Sequence, residues 1–393
     1  MGNGVGRRLC LTAPLVLLAF AAPATAAPTQ SASWAAPAIR VVSAAGLMGG
    51  AKNVAAFRGS DPLTAQALED VVFDLKTRLA PPPVVDQPDP TTTTTDPVPT
   101  TPTTTVPVTT TTSTTTTTTT VPTPSAPKQV ANPDQPAQMW QLDARLVSAL
   151  GLGDVASSFT KAARTAGLTV PSRFGTEVVA RLLGLRLNHP ASDDPLELRP
   201  QDIATRAEAA YSVAQILQFT DWQVSDIEAA AQSFSLPALS DWQKRILDTA
   251  VSKIGMPYIW GGTSDGAETE FGVSSRGGYD CSGFVWRVYK LQWYPGEGTL
   301  ASTLRGRTTY DMSGEVPTSQ RIAVADLQPA DVIFFGDKGP RSKPAQVGHM
   351  GIYLGNGWFI HSSEYGVALA TLTGWYAREF AWGRRPLAEA GLS

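Results

Sequence analysis

Between Asp241 and Gly262 the chain reads DWQKRILDTAVSKIGMPYIWGG, and Trp242, Ile246, Ala250 and Ile254 fall three or four residues apart. That period predicts an amphipathic helix ended by Gly255 and Pro257. A second helical period follows Asp280: Cys281, Phe284 or Val285, Val288 and Leu291 share one stripe, and Asp280 is suited to cap it. Cys281 is therefore expected in the first turn of a helix, on its buried face. From Val347 to Val367 the pattern changes to two strand-like runs, HMGIYL and WFIHSS, separated by Gly355-Asn356-Gly357. This predicts a hairpin. Pairing Leu354 with Trp358 sets His349 opposite Ser363 and His361 opposite Gly351, so both histidines point to one face as diagonal neighbours. A two-residue loop would put them on opposite faces, so bringing the rings together requires the wider loop or a bulge.

Upstream the pattern is helical and weakly repetitive. Residues 204–217, ATRAEAAYSVAQIL, begin with Thr205-Arg206-Ala207-Glu208, a capping box in which the Thr205 hydroxyl bonds the N3 amide and Glu208 reaches back. Residues 166–185 have a similar turn-then-helix pattern, and residues 45–75 read as a degenerate copy whose Thr64-Ala65-Gln66-Ala67 lacks the Arg and Glu. Thr-Arg-Ala-Glu opening a helix after LELRPQD is similar to an S-layer homology module. That resemblance implies binding of cell-wall polysaccharide through Thr205, Arg206 and Glu208; the plainer alternative is a helical spacer. His189, in RLNHPASDD, reads as a surface loop residue.

Composition adds the organisation. The 393 residues, 42% hydrophobic with a formal net charge of -3, suffice for two or three domains and carry no mark of a nucleic-acid binder. Residues 88–127 are almost wholly Thr and Pro, which bury too little to offset the entropy of ordering. They are expected to be a disordered stalk reaching on the order of 100 Å, with a composition that permits O-glycosylation. Residues 1–26 read as a secretory signal peptide, with Arg7 and Arg8, an apolar run from Leu9 to Ala22, and Ala24-Thr25-Ala26 as cleavage site. A retained membrane anchor is the alternative, and the paired arginines leave general or twin-arginine export open. No later stretch is apolar enough to span a bilayer. The expected order is then a leader, a small helical segment at 36–85, the linker at 88–127, a helical region at 138–236 and a domain at 241–390.

Removal of the leader takes Cys10 with it, so Cys281 has no partner for an internal disulfide. A lone thiol in an exported chain is either an inert core group or a reactive one. At a helix N-terminus the free amides favour an anion, which predicts a lowered thiol pKa. With His349 and His361 it supplies the parts of a nucleophile, base and orienter set. One Cys and two His at this spacing argue against a metal site, and no cofactor is expected.

The motifs GMPYIWGG, YDCSGFVWRVY, LQPADVIFF and VGHMGIYLGNGWFIHSS occur in that order over roughly residues 243 to 387, and they resemble the NlpC/p60 family of cell-wall cysteine peptidases. The resemblance implies an α+β, permuted papain-like catalytic domain with an antiparallel sheet and a nucleophile helix at its N-terminal end. It implies Cys281 as nucleophile, His349 as general base and His361 as orienter, with Tyr258, Asp280 and Ser282 shaping the substrate cleft. It also implies peptidoglycan stem peptides as substrate, most often the bond between D-isoglutamate and a diaminopimelate-type residue, and a secreted, wall-associated protein. A non-catalytic wall-binding scaffold and an amidase on the same fold remain open alternatives. Two departures stand out: Ala330 replaces the glycine of a Pro-Gly-Asp element, and the stretch 263–279 is longer than usual.

Overall fold

The computed structural model describes residues 32–80, 126–270 and 272–392. The leader, Cys10 and the Thr/Pro-rich run up to residue 125 lie outside the described residues.

The N-terminal part is built of helices α1 (Ala36–Ala44), α2 (Ala65–Leu79), α3 (Met139–Ala149), α4 (Gly153–Thr165), α5 (Phe174–Leu182), α6 (Arg206–Ile216) and α7 (Asp221–Ser233). Its centre is a closed triangle of backbone hydrogen bonds. The Leu63 amide donates to the Ala204 carbonyl, Ala204 to Ala137, and Ala137 to Leu63, each at 2.8 Å. All three side chains are buried, so these amides are paired where water cannot reach them. Two residues on, Ala65 donates to Gln135, Met139 to Asp202 and Arg206 to Asp61, repeating the relation around a pseudo-threefold axis. Thr64 and Thr205 cap α2 and α6 through the amides of Ala67 and Glu208, and at α3 the Gln141 side chain accepts from the Gln138 amide.

Three turn-then-helix copies thus exist, but the middle one is 135–149, not 166–185. Gln138 stands where the other copies have threonine, which hides the copy from a motif reading.

This triangle also corrects the domain plan. Segments 36–85 and 138–236 are not separate bodies, because α2 and α3 share one core and Gln66 exchanges hydrogen bonds with the Lys128 carbonyl and the Val130 amide. In the sequence the Thr/Pro-rich run falls between two segments of this single helical unit.

A buried charged cluster lies inside this unit. Glu208, 5% exposed, does not reach back to its cap; its carboxylate sits 3.9 Å from His189 Nε2, and Glu197 sits 3.2 Å from Nδ1. Arg186 pairs with Asp143 at 2.7 Å. His189 is 2% exposed, not a surface loop residue, because Trp34, far away in sequence, closes edge-on over it with ring centroids 4.5 Å apart. Burial raises the Glu208 carboxyl to about 7, with His189 and Arg186 opposing the rise. Burial by itself would lower His189, but Glu197 and Glu208 outweigh it and hold the imidazole above its ordinary value.

The second part begins with α8 (Asp241–Ser252), capped by Ser240. Short strands β1 (Thr263–Ser264), β2 (Glu268–Glu270), β3 (Val273–Ser275) and β4 (Gly278–Tyr279) pair β1 with β4 and β2 with β3. Helix α9 (Cys281–Trp286) follows and widens into a π-turn over Arg287–Leu291, which carries Leu291 out of the buried stripe. Short helices α10 (Leu300–Thr303) and α11 (Thr309–Gly314) lead to the sheet, β5 (Val332–Gly336), β6 (Val347–Gly355), β7 (Trp358–Ser363), β8 (Gly366–Thr371) and β9 (Phe380–Arg384), with α12 (Gly374–Glu379) before the last strand. The sheet is antiparallel in the order β8-β7-β6-β5-β9.

Alternation splits its side chains between two layers. Phe334, Met350, Ile352 and Ile360 join the main core, where α9 lies against β6 and β7, while Ile333, Phe335, Tyr353, Phe359 and Phe380 form a second core with Tyr376 of α12. Ala330, in the family's glycine position, has φ +69° and donates its amide to the Tyr353 carbonyl at 2.8 Å. A side chain in that left-handed conformation costs about 1–2 kcal/mol.

The helical unit is clamped onto this domain. Arg173 donates to the carbonyls of Ser252 and Ile254 at 3.2 and 3.3 Å, and Arg181, 5% exposed, donates to those of Gly255 and Tyr365. Phe159 and Phe234 both pack edge-on against Trp358 of β7 and tilt against each other.

Because the Glu208 carboxyl binds its proton more tightly folded than unfolded, it contributes stability that is complete below the unfolded value near 4.5 and lost as pH rises through about 7. His189 acts in the same sense, losing its contribution as pH rises past its ordinary 6.5. Melting followed by circular dichroism is therefore expected to give a lower Tm at pH 8 than at pH 5, and Glu208→Gln is expected to flatten that dependence. An unchanged slope in the variant would contradict the assignment.

Candidate active site

Asp280 builds the tip of α9. Its Oδ1 accepts from the Gly283 amide and, at 2.9 Å, from the Ser282 hydroxyl, while Oδ2 accepts from the Gly261 amide at 3.0 Å. A Cβ on Gly283 would stand 1.9 Å from the Gly262 carbonyl oxygen, so only glycine lets α9 approach that loop. Arg307 closes the arrangement: it donates to the Ser282 hydroxyl at 2.7 Å, to the Gly261 carbonyl at 2.8 Å and to both Asp280 oxygens at 3.3 Å. Asp280 and Ser282, expected to shape the cleft, are 8% and 6% exposed and instead fix the helix end to the 258–262 loop. Arg307 was not singled out by any motif, since it lies in an irregular stretch 25 residues beyond Ser282.

Cys281 heads this helix and is 9% exposed. Burial and the Asp280 charge push its thiol up to about 12, against the amides of Ser282, Met350 and Cys281 itself, which favour the thiolate. The lowered pKa expected from the helix terminus is thus overturned by desolvation and a neighbouring carboxylate. Helix α9 lies against β6 and β7, the strands that carry His349 and His361, and the Met350 amide next to His349 is among the groups acting on the thiol.

The hairpin settles where the two rings point. Asn356 and Gly357 take φ of +49° and +80°, the left-handed pair of a tight turn, and Gly355, not Leu354, pairs with Trp358. A bulge between Tyr353 and Gly355 then restores the pairs Tyr353–Phe359 and Ile352–Ile360. The histidines consequently share a face, with His349 Nε2 and His361 Nδ1 2.7 Å apart. His349 stacks on Phe335 with ring centroids 5.8 Å apart, and Tyr376 places its hydroxyl 3.5 Å from His361 Nε2.

Burial pushes His349 down to about 4, and burial with the His349 charge holds His361 well below its ordinary value. Both rings are neutral at pH 7. A single proton lies between Nε2 and Nδ1, so a His349 that carries it on Nε2 has Nδ1 free as a base.

Tyr258 lies in bridge contact with Tyr279, the residue before the cap. Burial and the charges of Cys281, Asp280 and Asp194 raise its hydroxyl above the ordinary value, so it stays a protonated donor. With Asn188, His349, Glu364, Trp375 and Tyr376 it lines a pocket of about 510 Å³. Asn188 belongs to the helical unit; with its amide turned so that oxygen and nitrogen both find partners, it donates to Glu197 at 3.1 Å and to the Tyr258 carbonyl at 3.2 Å. The long stretch 263–279 is tied down: Asp265 accepts from Lys253 at 2.5 Å and from the Tyr279 hydroxyl at 2.6 Å, and its carbonyl accepts from Arg199 at 3.1 Å.

Thr205, Arg206 and Glu208 do not assemble an outward-facing site. Thr205 is the α6 cap, Glu208 is buried, and Arg206 lies 4.7 Å over the Phe57 ring while donating to the Phe57 and Met48 carbonyls at 3.0 and 3.2 Å.

Comparison with known proteins agrees with the C-terminal part. The chain is 30% identical over 157 residues, 39% of its own length and 29% of the other's, to peptidoglycan endopeptidase RipA of Mycobacterium tuberculosis. It is 27% identical over 128 residues, 33% of its length and 34% of the other's, to a gamma-D-glutamyl-L-lysine dipeptidyl-peptidase of Bacillus subtilis. The chain therefore spans about a third or less of the length of these relatives. Among solved structures, an NlpC/P60 family protein from Bacillus cereus is 26% identical, covering 39% of this chain and 43% of that one, with a TM-score of 0.28. The family's own signature matches residues 255–385, the span that holds Cys281, His349 and His361, and this part of the chain is an NlpC/P60 family domain.

Proposed function

We propose that this protein is an exported cysteine endopeptidase that cuts stem-peptide amide bonds of peptidoglycan, of the D-γ-glutamyl–diaminopimelate type. The observation that carries the reading is the 2.7 Å contact between the His349 ring on β6 and the His361 ring on β7, the two strands against which the Cys281 helix lies. The relatives' names, a peptidoglycan endopeptidase and a gamma-D-glutamyl-L-lysine dipeptidyl-peptidase, support the substrate class. The leader-like N-terminus supports export to the wall.

In this reading the resting site is uncharged. As substrate seats, the thiol proton passes to His349 Nδ1 while the sulfur forms a bond to the amide carbonyl carbon. His361 accepts the Nε2 hydrogen and fixes the tilt of the imidazolium that forms. The Cys281 amide at the helix end and the Tyr258 hydroxyl stabilise the oxyanion. His349 then returns the proton to the leaving amine, and water, deprotonated by the same ring, releases the acyl group from sulfur.

Incubation of the full chain with purified muropeptides, read by mass spectrometry, is expected to give cleavage within the stem that Cys281→Ala abolishes. Release of the whole stem would instead mark an amidase, and binding without cleavage a scaffold.

Because His349 stays neutral down to about pH 4, the acid limb of the kcat/KM profile is expected near 4. A limb near the ordinary imidazole value would contradict the neutral ring pair.

Arg307→Ala is expected to lower kcat by about ten- to a hundredfold with little change in KM, since it loosens the helix tip without touching substrate. A loss confined to KM would assign Arg307 to substrate binding.

A further inference from the structure

The groove between the helical unit and the peptidase domain is not used by the mechanism above. It encloses about 560 Å³, within the range of small-molecule sites, and reaches His361. Tyr211, Gln215, Gln218 and Trp222 contribute from α6 and α7 and the turn between them, and Tyr365 and Tyr376 from the peptidase domain. Ser363, Tyr365 and Tyr376 also line the pocket over His349, so the groove and the catalytic pocket are continuous.

We propose that this groove is a glycan subsite, which holds an uncharged amino-sugar strand so that the stem attached to it enters the catalytic pocket. The inference deepens the endopeptidase reading and rests on it for the identity of the attached stem.

Three observations carry it. Trp222 is 62% exposed and Tyr365 46%, large apolar faces left in water at the mouth of a groove. Such faces pack against the C–H faces of sugar rings, while Tyr hydroxyls and carboxamides exchange hydrogen bonds with hydroxyl and acetamido groups.

The charge of the lining excludes the alternative of an anionic peptide. Among the described residues that line it the one cation, Arg181, is 5% exposed and already donates to the Gly255 and Tyr365 carbonyls, while Asp226 in the groove is acidic. Peptide carboxylates find no free cation among the described residues of the groove, whereas a neutral saccharide needs none.

The third observation is continuity. A stem is joined to its glycan through one sugar, so a sugar site must lie beside the peptide site, and here the two share three residues.

The test compares two substrates with the same scissile bond, a disaccharide-linked stem peptide and the free stem peptide, cleaved by the full chain and by Trp222→Ala and Gln215→Ala. The wild-type protein is expected to favour the glycan-linked substrate in kcat/KM, and Trp222→Ala to reduce that preference ratio about tenfold, with Tm measured alongside to exclude misfolding. A wild-type ratio of one, a ratio unchanged by Trp222→Ala, or an equal loss on both substrates would overturn the proposal, the last in favour of a peptide subsite.

Titration of the full chain with β-1,4-linked N-acetylglucosamine oligomers, followed by tryptophan fluorescence, decides independently of cleavage. Saturable binding lost in Trp222→Ala supports the subsite, and no binding by the wild type overturns it. If neither substrate is cut, the endopeptidase reading fails while this titration still judges the groove.

Discussion

The carboxylate of Asp280 is the constraint on which the catalytic domain turns. One buried group caps α9, holds the Gly261 amide, anchors the Ser282 hydroxyl and pairs with Arg307. Removing such a group would leave several donors without partners in a nearly dry site, a cost far above that of a surface ion pair. The same charge also acts on the thiol one residue away and helps to keep it protonated. Rigidity of the helix tip and a neutral thiol are thus two consequences of one placement, and in the proposed mechanism they make proton transfer to His349 part of the attack.

The sheet supplies the other half of the site through a small irregularity. A tight turn at Asn356-Gly357 matches the twist of the strands but shifts the register by one. The bulge before Gly355 absorbs that shift and returns both histidines to the face that Phe335, Phe359 and Tyr376 cover. Those aromatics remove water from the ring pair, which is why both imidazoles are held neutral and why a hydrogen bond between them is strong enough to orient the base.

The helical unit belongs to the site as much as to the N-terminal side of the chain. Its backbone triangle brings together segments on either side of the Thr/Pro-rich run, and Arg173 and Arg181 fasten it to the ends of α8 and β8. Asn188 then stands beside Tyr258, and α6 and α7 wall the adjoining groove. Buried charges within the unit are retained although apolar packing would cost less, because Glu197, Glu208, His189, Arg186 and Asp143 partner one another.

Much of the catalytic part was legible because its signals are local. The periods of three or four around Cys281 and of two around His349 and His361, the Asp280 cap and the Gly355-Asn356-Gly357 turn are short-range patterns, and the structure keeps them except that a π-turn carries Leu291 out of the stripe and the turn tightens to Asn356-Gly357 with a bulge before Gly355. What the sequence could not disclose depends on distant groups. Desolvation by the surrounding core reversed the thiol shift expected from the helix end, Arg307 reached Asp280 from another segment, and Trp34 buried a histidine that reads as exposed. The third turn-then-helix copy was invisible because backbone bonding, indifferent to the side chain at Gln138, defines it. The sequence by itself determined on what elements Cys281, His349 and His361 sit, since periodicity and capping act within a few residues. Only the tertiary structure decided their charge states, their supporting partners and the groove beside them, since burial and electrostatics depend on what the rest of the chain folds against.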